Sequence, residues 1–237
     1  MTATLPTILL SRPEAQSRDF AARLRARIAP DVPVIVSPVL EIMPVPFDLP
    51  VEPRFLVLTS AHAAEAARRA GLANLPAFCV GDTTAEAARS AGFLPQSAAG
   101  DAGALLALLM AVRPEGPGLY LRGRHAASDI ASELVSAGLD THAVTAYDQV
   151  ARPLSAEARS ALDAAAPVIL PVFSPRSSRL LAREAAQARA PLDLIAISAA
   201  AAEPWEDRGV FLAIAAAPNG AAMEEAVVER VQSRSAC

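Results

Sequence analysis

Short apolar runs alternate with alanine-rich amphipathic stretches along most of this 237-residue chain, and that alternation predicts strand followed by helix, repeated. The first pair reads "TILLSRPEAQSRDFAARLRARI". Ile8, Leu9 and Leu10 make the apolar run, and Phe20, Leu24 and Ile28 then recur at four-residue spacing on one helical face. "GLYLRGRHAASDIASELVSAG" (118–138) has the same shape, with Ile130 and Leu134 on one face and Gly138 as the C-cap.

Three further pairs echo one another. "FLVLTSAHAAEAARRAG" (55–71) and "PVFSPRSSRLLAREA" (171–185) both break an apolar run into bare hydroxyls and then turn helical. "AFCVGDTTAEAARSAGF" (77–93) is matched by "LIAISAAAAEPWEDRGV" (194–210), and "SAAGDAGALLALLMAV" (97–112) by "AIAAAPNGAAMEEAVVERV" (213–231). The units keep one order in both halves, which marks a duplication. Strand–helix repeats of this kind form an open parallel sheet with helices on both faces. Two extended segments interrupt the series, "VPVIVSPVLEIMPV" (32–45) and "THAVTAYDQVARPL" (141–154). Their proline content and equivalent places mark them as paired connecting strands between lobes.

Composition narrows the chemistry. Hydrophobic residues make up 53% and charged residues 19%, enough apolar material for a sizeable core. A formal net charge of −4 argues against non-specific nucleic-acid binding, which needs a basic face. No lysine is present, so every basic side chain is an arginine; lysine Schiff-base chemistry, pyridoxal phosphate and a P-loop are excluded together. His62, His125 and His142 have no metal-like spacing with one another or with Cys79 and Cys237, and no structural disulfide is expected. No apolar run approaches the roughly 20 residues that cross a bilayer, and "MTATLPTILLSRPEAQ" has no leader pattern, so a cytoplasmic protein is expected.

In open parallel sheets ligands bind beyond the carboxyl ends of the strands. The polar residues collect at those ends: Ser11 and Arg12; Thr59 and Ser60; Gly81, Asp82, Thr83 and Thr84; Arg122, Gly123 and Arg124; Ser174, Arg176, Ser177 and Ser178; and Ser198. Helix N-termini at these corners offer unpaired N–H groups and partial positive charge, an anion site that needs no lysine. The plainer reading makes each hydroxyl an N-cap, worth about 1 kcal/mol, Arg12-Pro13 an ordinary helix start, and Gly81 a turn residue. Repetition of the corners in both halves favours a ligand. Tyr147, one of two tyrosines, lies in a connector; it is either a half-buried packing residue or part of a site. His62 and His125 read as solvated first-turn residues, Asp82 as a cap and Trp205 as a packing residue.

"ILLSRPEAQSRDFAARL", "FLVLTSAHAAEAA", "AFCVGDTTAEAARSAGF", "LYLRGRHAASDIASELVSAG" with "VTAYDQV", and "VFSPRSSRLL", in this order and spacing, resemble uroporphyrinogen-III synthases over essentially the full length. The resemblance implies an α/β fold with two flavodoxin-like parallel-sheet lobes joined by a two-stranded β ladder. One lobe would take 1–35 with 155–237, the other 46–140, and 36–45 and 141–154 would connect them. The strand ends would face a cleft between the lobes. The implied substrate is hydroxymethylbilane, closed with loss of water and inversion of the terminal pyrrole through a spiro intermediate, with no metal or organic cofactor. Tyr147 would assist as an acid at the departing hydroxyl. Ser60, Thr84 and Ser174 would contact carboxylates. Arg12, Thr59, Gly81, Thr83, Arg122, Gly123, Arg176, Ser177 and Ser198 complete the expected substrate-binding set, with Arg12 and Arg122 either attracting substrate or bracing strand ends. A monomer is expected, with transient handover from the preceding pathway enzyme and no nucleic-acid or membrane partner.

The sequence departs from the family pattern at "ISAAAA" (197–202), where Ser198 alone remains of the hydroxyls, and at Ser11, which stands for a commoner threonine. Two rival readings keep the corners but change the chemistry. One is a non-catalytic two-lobed module closing on an anionic small molecule, in which Tyr147 only packs. The other is a nucleotide-using enzyme, against which the missing glycine fingerprint and phosphate-binding lysine count.

Overall fold

The computed structural model describes residues 5–125 and 130–235. In chain order its elements are β1 (Thr7–Leu10), α1 (Glu14–Arg25), β2 (Val34–Val36), β3 (Leu40–Pro44), β4 (Phe55–Leu58), α2 (Ala61–Arg69), β5 (Pro76–Cys79), α3 (Asp82–Ser90), β6 (Leu94–Ser97) and α4 (Ala102–Val112). There follow β7 (Gly118–Gly123), α5 (Ile130–Ser136), β8 (Thr141–Ala151), α6 (Ala156–Asp163), β9 (Val168–Val172), α7 (Pro175–Glu184), β10 (Leu192–Ala196), α8 (Ala199–Ala202), β11 (Phe211–Ile214) and α9 (Gly220–Ser235). They divide between a first unit, Met1–Glu41 with Val150–Cys237, and a second, Ile42–Gln149. The chain leaves the first unit inside β3 and returns inside β8.

The first unit's sheet runs β11-β10-β9-β1-β2, every pairing parallel. Renumbered within that unit, this is the 2-1-3-4-5 order of flavodoxin-like folds. In the second unit β8-β7-β4-β5-β6 repeats the same spatial succession, again parallel, with β3 beside β8 at the edge. Its chain order is 5-4-1-2-3. The duplicated halves have therefore exchanged one strand–helix pair: β1 lies beside β9, and β7 beside β4.

The central strands are apolar along their whole length, as strands covered on both faces must be. β1, β4 and β9 are buried throughout. In the first unit Phe20 and Leu24 of α1 pack with Met223, Val227 and Val231 of α9 on one face. Ala158 and Leu162 of α6 pack with Leu181 of α7 on the other. In the second unit Ala63, Ala64 and Ala67 of α2 and Ala85 and Ala88 of α3 cover one face, while Leu105 and Leu109 of α4 with Ile130 and Leu134 of α5 cover the other. Alanine supplies the α2 and α3 side of that contact.

Three local expectations change. The face of α1 was expected to run on to Ile28, but the helix ends at Arg25 and Ile28 packs from the following turn. Residues 32–45 are not one connecting strand: β2 joins the first sheet parallel to β1 before β3 begins. The helix matching α3 is only four residues long, because Pro204 follows and buried Trp205 is drawn inward, its Nε1 donating to Ser178 Oγ at 2.9 Å. Elsewhere the repeat holds in detail: Asp101 Oδ1 accepts from Ala104 N ahead of α4, and Asn219 Oδ1 from Ala222 N ahead of α9.

One carboxylate lies in the first unit's core. Asp193 of β10 has no exposed surface and accepts both guanidinium hydrogen bonds of Arg234, at 2.7 Å each, and one from Arg230 at 2.8 Å. Burial alone raises its pKa, but the bonds from Arg234 and Arg230 outweigh that and hold it below the ordinary aspartate value. Asp193→Asn is expected to cost about 3 kcal/mol, the usual penalty for breaking a buried pair, read as an earlier urea transition. Because the folded pKa is depressed, the contribution is full above the unfolded value of about 3.9 and disappears as pH falls through the lower folded value. The asparagine variant has no such contribution to lose, so its stability gap from the parent narrows in acid.

Candidate active site

In each unit the two central strands feed helices on opposite faces of the sheet, and in open α/β sheets such a reversal is where ligands bind, beyond the carboxyl ends of the strands. In the second unit β4 leads to α2 on one face and β7 to α5 on the other. In the first, β1 leads to α1 and β9 to α7. The candidate residues gather at these two reversals, Thr59, Ser60, Arg122 and Gly123 in one unit and Ser11, Arg12 and Ser174 in the other.

The second unit holds the tighter arrangement. Parallel pairing of β7 with β8 matches Arg122 to Thr145 but Gly123 to Tyr147, so Ala146 is an extra residue in a β-bulge. The bulge breaks the in–out alternation: Ala146 and Tyr147 are consecutive and both buried. It turns the tyrosine ring onto Gly123. A Cβ built at Gly123 would stand 2.7 Å from Tyr147 Cε2, 2.9 Å from Cζ and 3.1 Å from the hydroxyl oxygen, so glycine is required by the ring's close approach.

Burial raises the phenol's pKa, and hydrogen bonds with the Ser60 side chain and the Gly123 backbone only partly offset this. Tyr147 is therefore a protonated donor throughout the neutral range. Ser60 is the N-cap of α2 and its Oγ also accepts from His62 N at 3.2 Å, so one hydroxyl serves helix and phenol together. Thr59 Oγ1 lies 3.5 Å from the Tyr120 hydroxyl. Beyond the bulge Arg124 donates to Asp148 at 2.8 Å, with His125 3.4 Å from the same carboxylate.

Gly81 caps α3 in extended backbone that any residue adopts, so its value is a bare backbone; Asp82 is the first helical residue and not the cap. Thr83 is exposed beside it and Thr84 is buried. This corner neighbours the Ser60 corner across the β4–β5 pair.

In the first unit Arg12 is half-buried with its guanidinium 4.0 Å over the Phe173 ring, a stacking arrangement that holds a permanent cation beside the β9 corner. Ser11 is buried. Ser174 caps α7 through Ser177 N at 3.2 Å, and the two serine hydroxyls lie 2.7 Å apart. Ser177 is thus engaged in the cap, Ser178 in the core against Trp205, and Arg176 is half-buried in the first turn. Ser198 precedes the short α8 with no side-chain cap bond.

His62 was expected to be solvated and is not. It is half-buried against Tyr147, ring centroids 5.7 Å apart at 60°, and burial lowers its pKa. His62, Glu65, Ala66 and Arg69 share one helical face and line one cavity, but two of the four are charged, so the spacing alone reads as a solvated face. Cys79 offers no nucleophile: burial pushes its thiol up to about 11, against the opposing charge of Arg89. Among the described residues no group of three or more His, Cys, Asp or Glu side chains is placed to hold a metal ion, and no helix is long and apolar enough to cross a membrane.

The family model for uroporphyrinogen-III synthase HemD matches residues 19–225. No curated protein sequence matches the chain. Among solved structures, the uroporphyrinogen-III synthetase of Helicobacter pylori superposes with a TM-score of 0.66 at 16% identity, covering 95% of this chain and 99% of its own. A mutant uroporphyrinogen III synthase of Thermus thermophilus superposes with a TM-score of 0.52 at 16% identity, covering 97% and 99%. At that identity the structures speak for the fold, whereas the family match spans most of the sequence. The chain belongs to the uroporphyrinogen-III synthase family, lyases that cyclise hydroxymethylbilane in tetrapyrrole biosynthesis.

Proposed function

We propose that this chain closes hydroxymethylbilane with inversion of the terminal pyrrole, and that Tyr147 is the acid that assists loss of the hydroxyl. The observation that carries the role is the bulge that presses a protonated phenol onto Gly123 beside the Ser60 hydroxyl. The pyrrole nitrogen pushes out the hydroxyl carried on the terminal methylene; the carbon–oxygen bond breaks and the oxygen leaves as water with a proton from the phenol. The electrophilic carbon is then attacked by the far pyrrole, through a spiro intermediate whose rearrangement inverts that ring. The phenolate recovers its proton when the new ring carbon loses one.

The uncatalysed chain closes without inversion, so most of the protein's work is to hold a flexible polyanion in the productive pose. Ser60, Thr83, Thr84, Thr59 and the bare backbone at Gly81 would supply donors from the second unit; Arg12, Ser174, Arg176, Ser177 and Ser198 would do so from the first. Arg122 would contribute charge at the β7 end. The proposal extends to a monomer working in the cytoplasm on substrate handed over by the preceding pathway enzyme.

Freshly generated hydroxymethylbilane, incubated with the protein and oxidised, should yield mainly porphyrin isomer III; isomer I alone, at the spontaneous rate with folded protein, would overturn the reading. Tyr147→Phe should lower kcat by about a hundredfold, the lower range for a lost general acid, while the protein stays folded and its melting temperature falls by no more than about 5 °C, the scale of a lost hydrogen bond. Near-normal turnover would remove the acid role. Since the phenol's pKa is raised above 10, activity should decline on the alkaline side only beyond that value, and this limb should be missing from the residual activity of Tyr147→Phe. Gly123→Ala forces a methyl into the tyrosine ring and should reproduce the turnover loss of Tyr147→Phe, measured as kcat on folded protein.

A further inference from the structure

We propose that His62 is a positioning residue for Tyr147, its imidazole forming the wall that keeps the phenol against Gly123 and Ser60. This rests on the acid role of Tyr147. The ring has a wall on one side and a space on the other. On one side the Gly123 backbone blocks it. On the other lies a cavity of about 190 Å³, walled by Ile42 and Pro44 of β3, Ala146 of β8 and Ala66 of α2, large enough to receive a displaced phenol ring. His62 and Tyr147 both line that cavity, and the imidazole meets the tyrosine edge-on at 5.7 Å between centroids. Removing it enlarges the space beside the ring and removes the contact that opposes rotation into it.

Two further observations tie His62 to the same hydroxyl. The His62 backbone N–H donates to Ser60 Oγ, and the Ser60 side chain bonds to the phenol, so the first turn of α2 holds Tyr147 by its ring and by its oxygen. The charged groups on the cavity are Glu65 and Arg69 of α2, and these pair with each other at 2.8 Å; β3 and β8 contribute Ile42, Pro44 and Ala146 to it. The imidazole thus sits in largely apolar surroundings, where burial favours its neutral form. A neutral aromatic edge is the operative feature, which separates this role from a proton donor or a carboxylate contact.

A double-mutant series tests it. His62→Ala should lower kcat by about tenfold through misplacement of the phenol, with KM within about twofold, whereas His62→Phe, which keeps an aromatic ring and cannot titrate, should restore most of the loss. His62→Gln, polar and without a ring, should behave like alanine. In a Tyr147→Phe background His62→Ala should have no further effect, because the two residues act as one. An unchanged kcat in His62→Ala, failure of His62→Phe to restore it, or an equal loss in both backgrounds would overturn the proposal while leaving Tyr147 in place. Normal turnover in Tyr147→Phe alone would instead overturn the acid reading beneath it. Should the alanine variant fold poorly, the comparison of His62→Phe with His62→Gln carries the same decision.

Discussion

Everything in both units depends on a pair of central parallel strands drawn from opposite halves of the chain. β1 must find β9 and β7 must find β4 before either sheet has a middle. Each of these pairs is also the place where the covering helices change face, so the contact that completes the core also fixes where the candidate residues gather. Stability and site therefore share one origin, and the strand ends carrying Ser11, Thr59, Gly123 and Phe173 belong to the most buried strands of the molecule.

The duplicated corners have taken different chemical directions. At the β9 corner the hydroxyls look inward: Ser174 and Ser177 bond each other across the first turn of α7, and Ser178 holds Trp205. At the β4 corner Ser60 divides its oxygen between the α2 cap and a phenol from another strand. The cations diverge as well. Arg12 is stacked on Phe173, while Arg124 reaches Asp148 at the surface. Without lysine every basic side chain of the chain is a planar guanidinium, a group whose fixed donor geometry suits carboxylates.

Strand–helix alternation, the repeat and the strand-end location of the polar residues were all legible, because hydrophobic period and turn chemistry are local properties of the chain. The family likeness added the exchange of β1 and β7 between halves, which no local pattern contains. What escaped was set by packing at a distance. Pro204 marks a stop for α8 in the sequence itself, but the inward turn of Trp205 onto Ser178 depends on where its partner lies. Ala146-Tyr147 is an ordinary pair of letters until β7 dictates the register that makes it a bulge. His62 looked like any exposed residue in a first turn, since its burial comes from β8 and from the cavity wall supplied by β3.

The exchanged strands also impose an order of events on a chain made from its N-terminus. The second unit is one continuous stretch and has all its strands once residue 149 has emerged from the ribosome. β1, made first, must wait for β9: Thr7 pairs with Val168. Folding of the second unit shortens that wait, because the bond from Val45 N–H to the Ala146 carbonyl, at 3.0 Å, closes most of the intervening chain into a finished body. The loop left for β1 and β9 to close is then much shorter, which lowers its entropic cost by roughly 1 kcal/mol. The second unit is in this sense a clip for the first, and its own folding is the step that brings the two ends of its neighbour within reach.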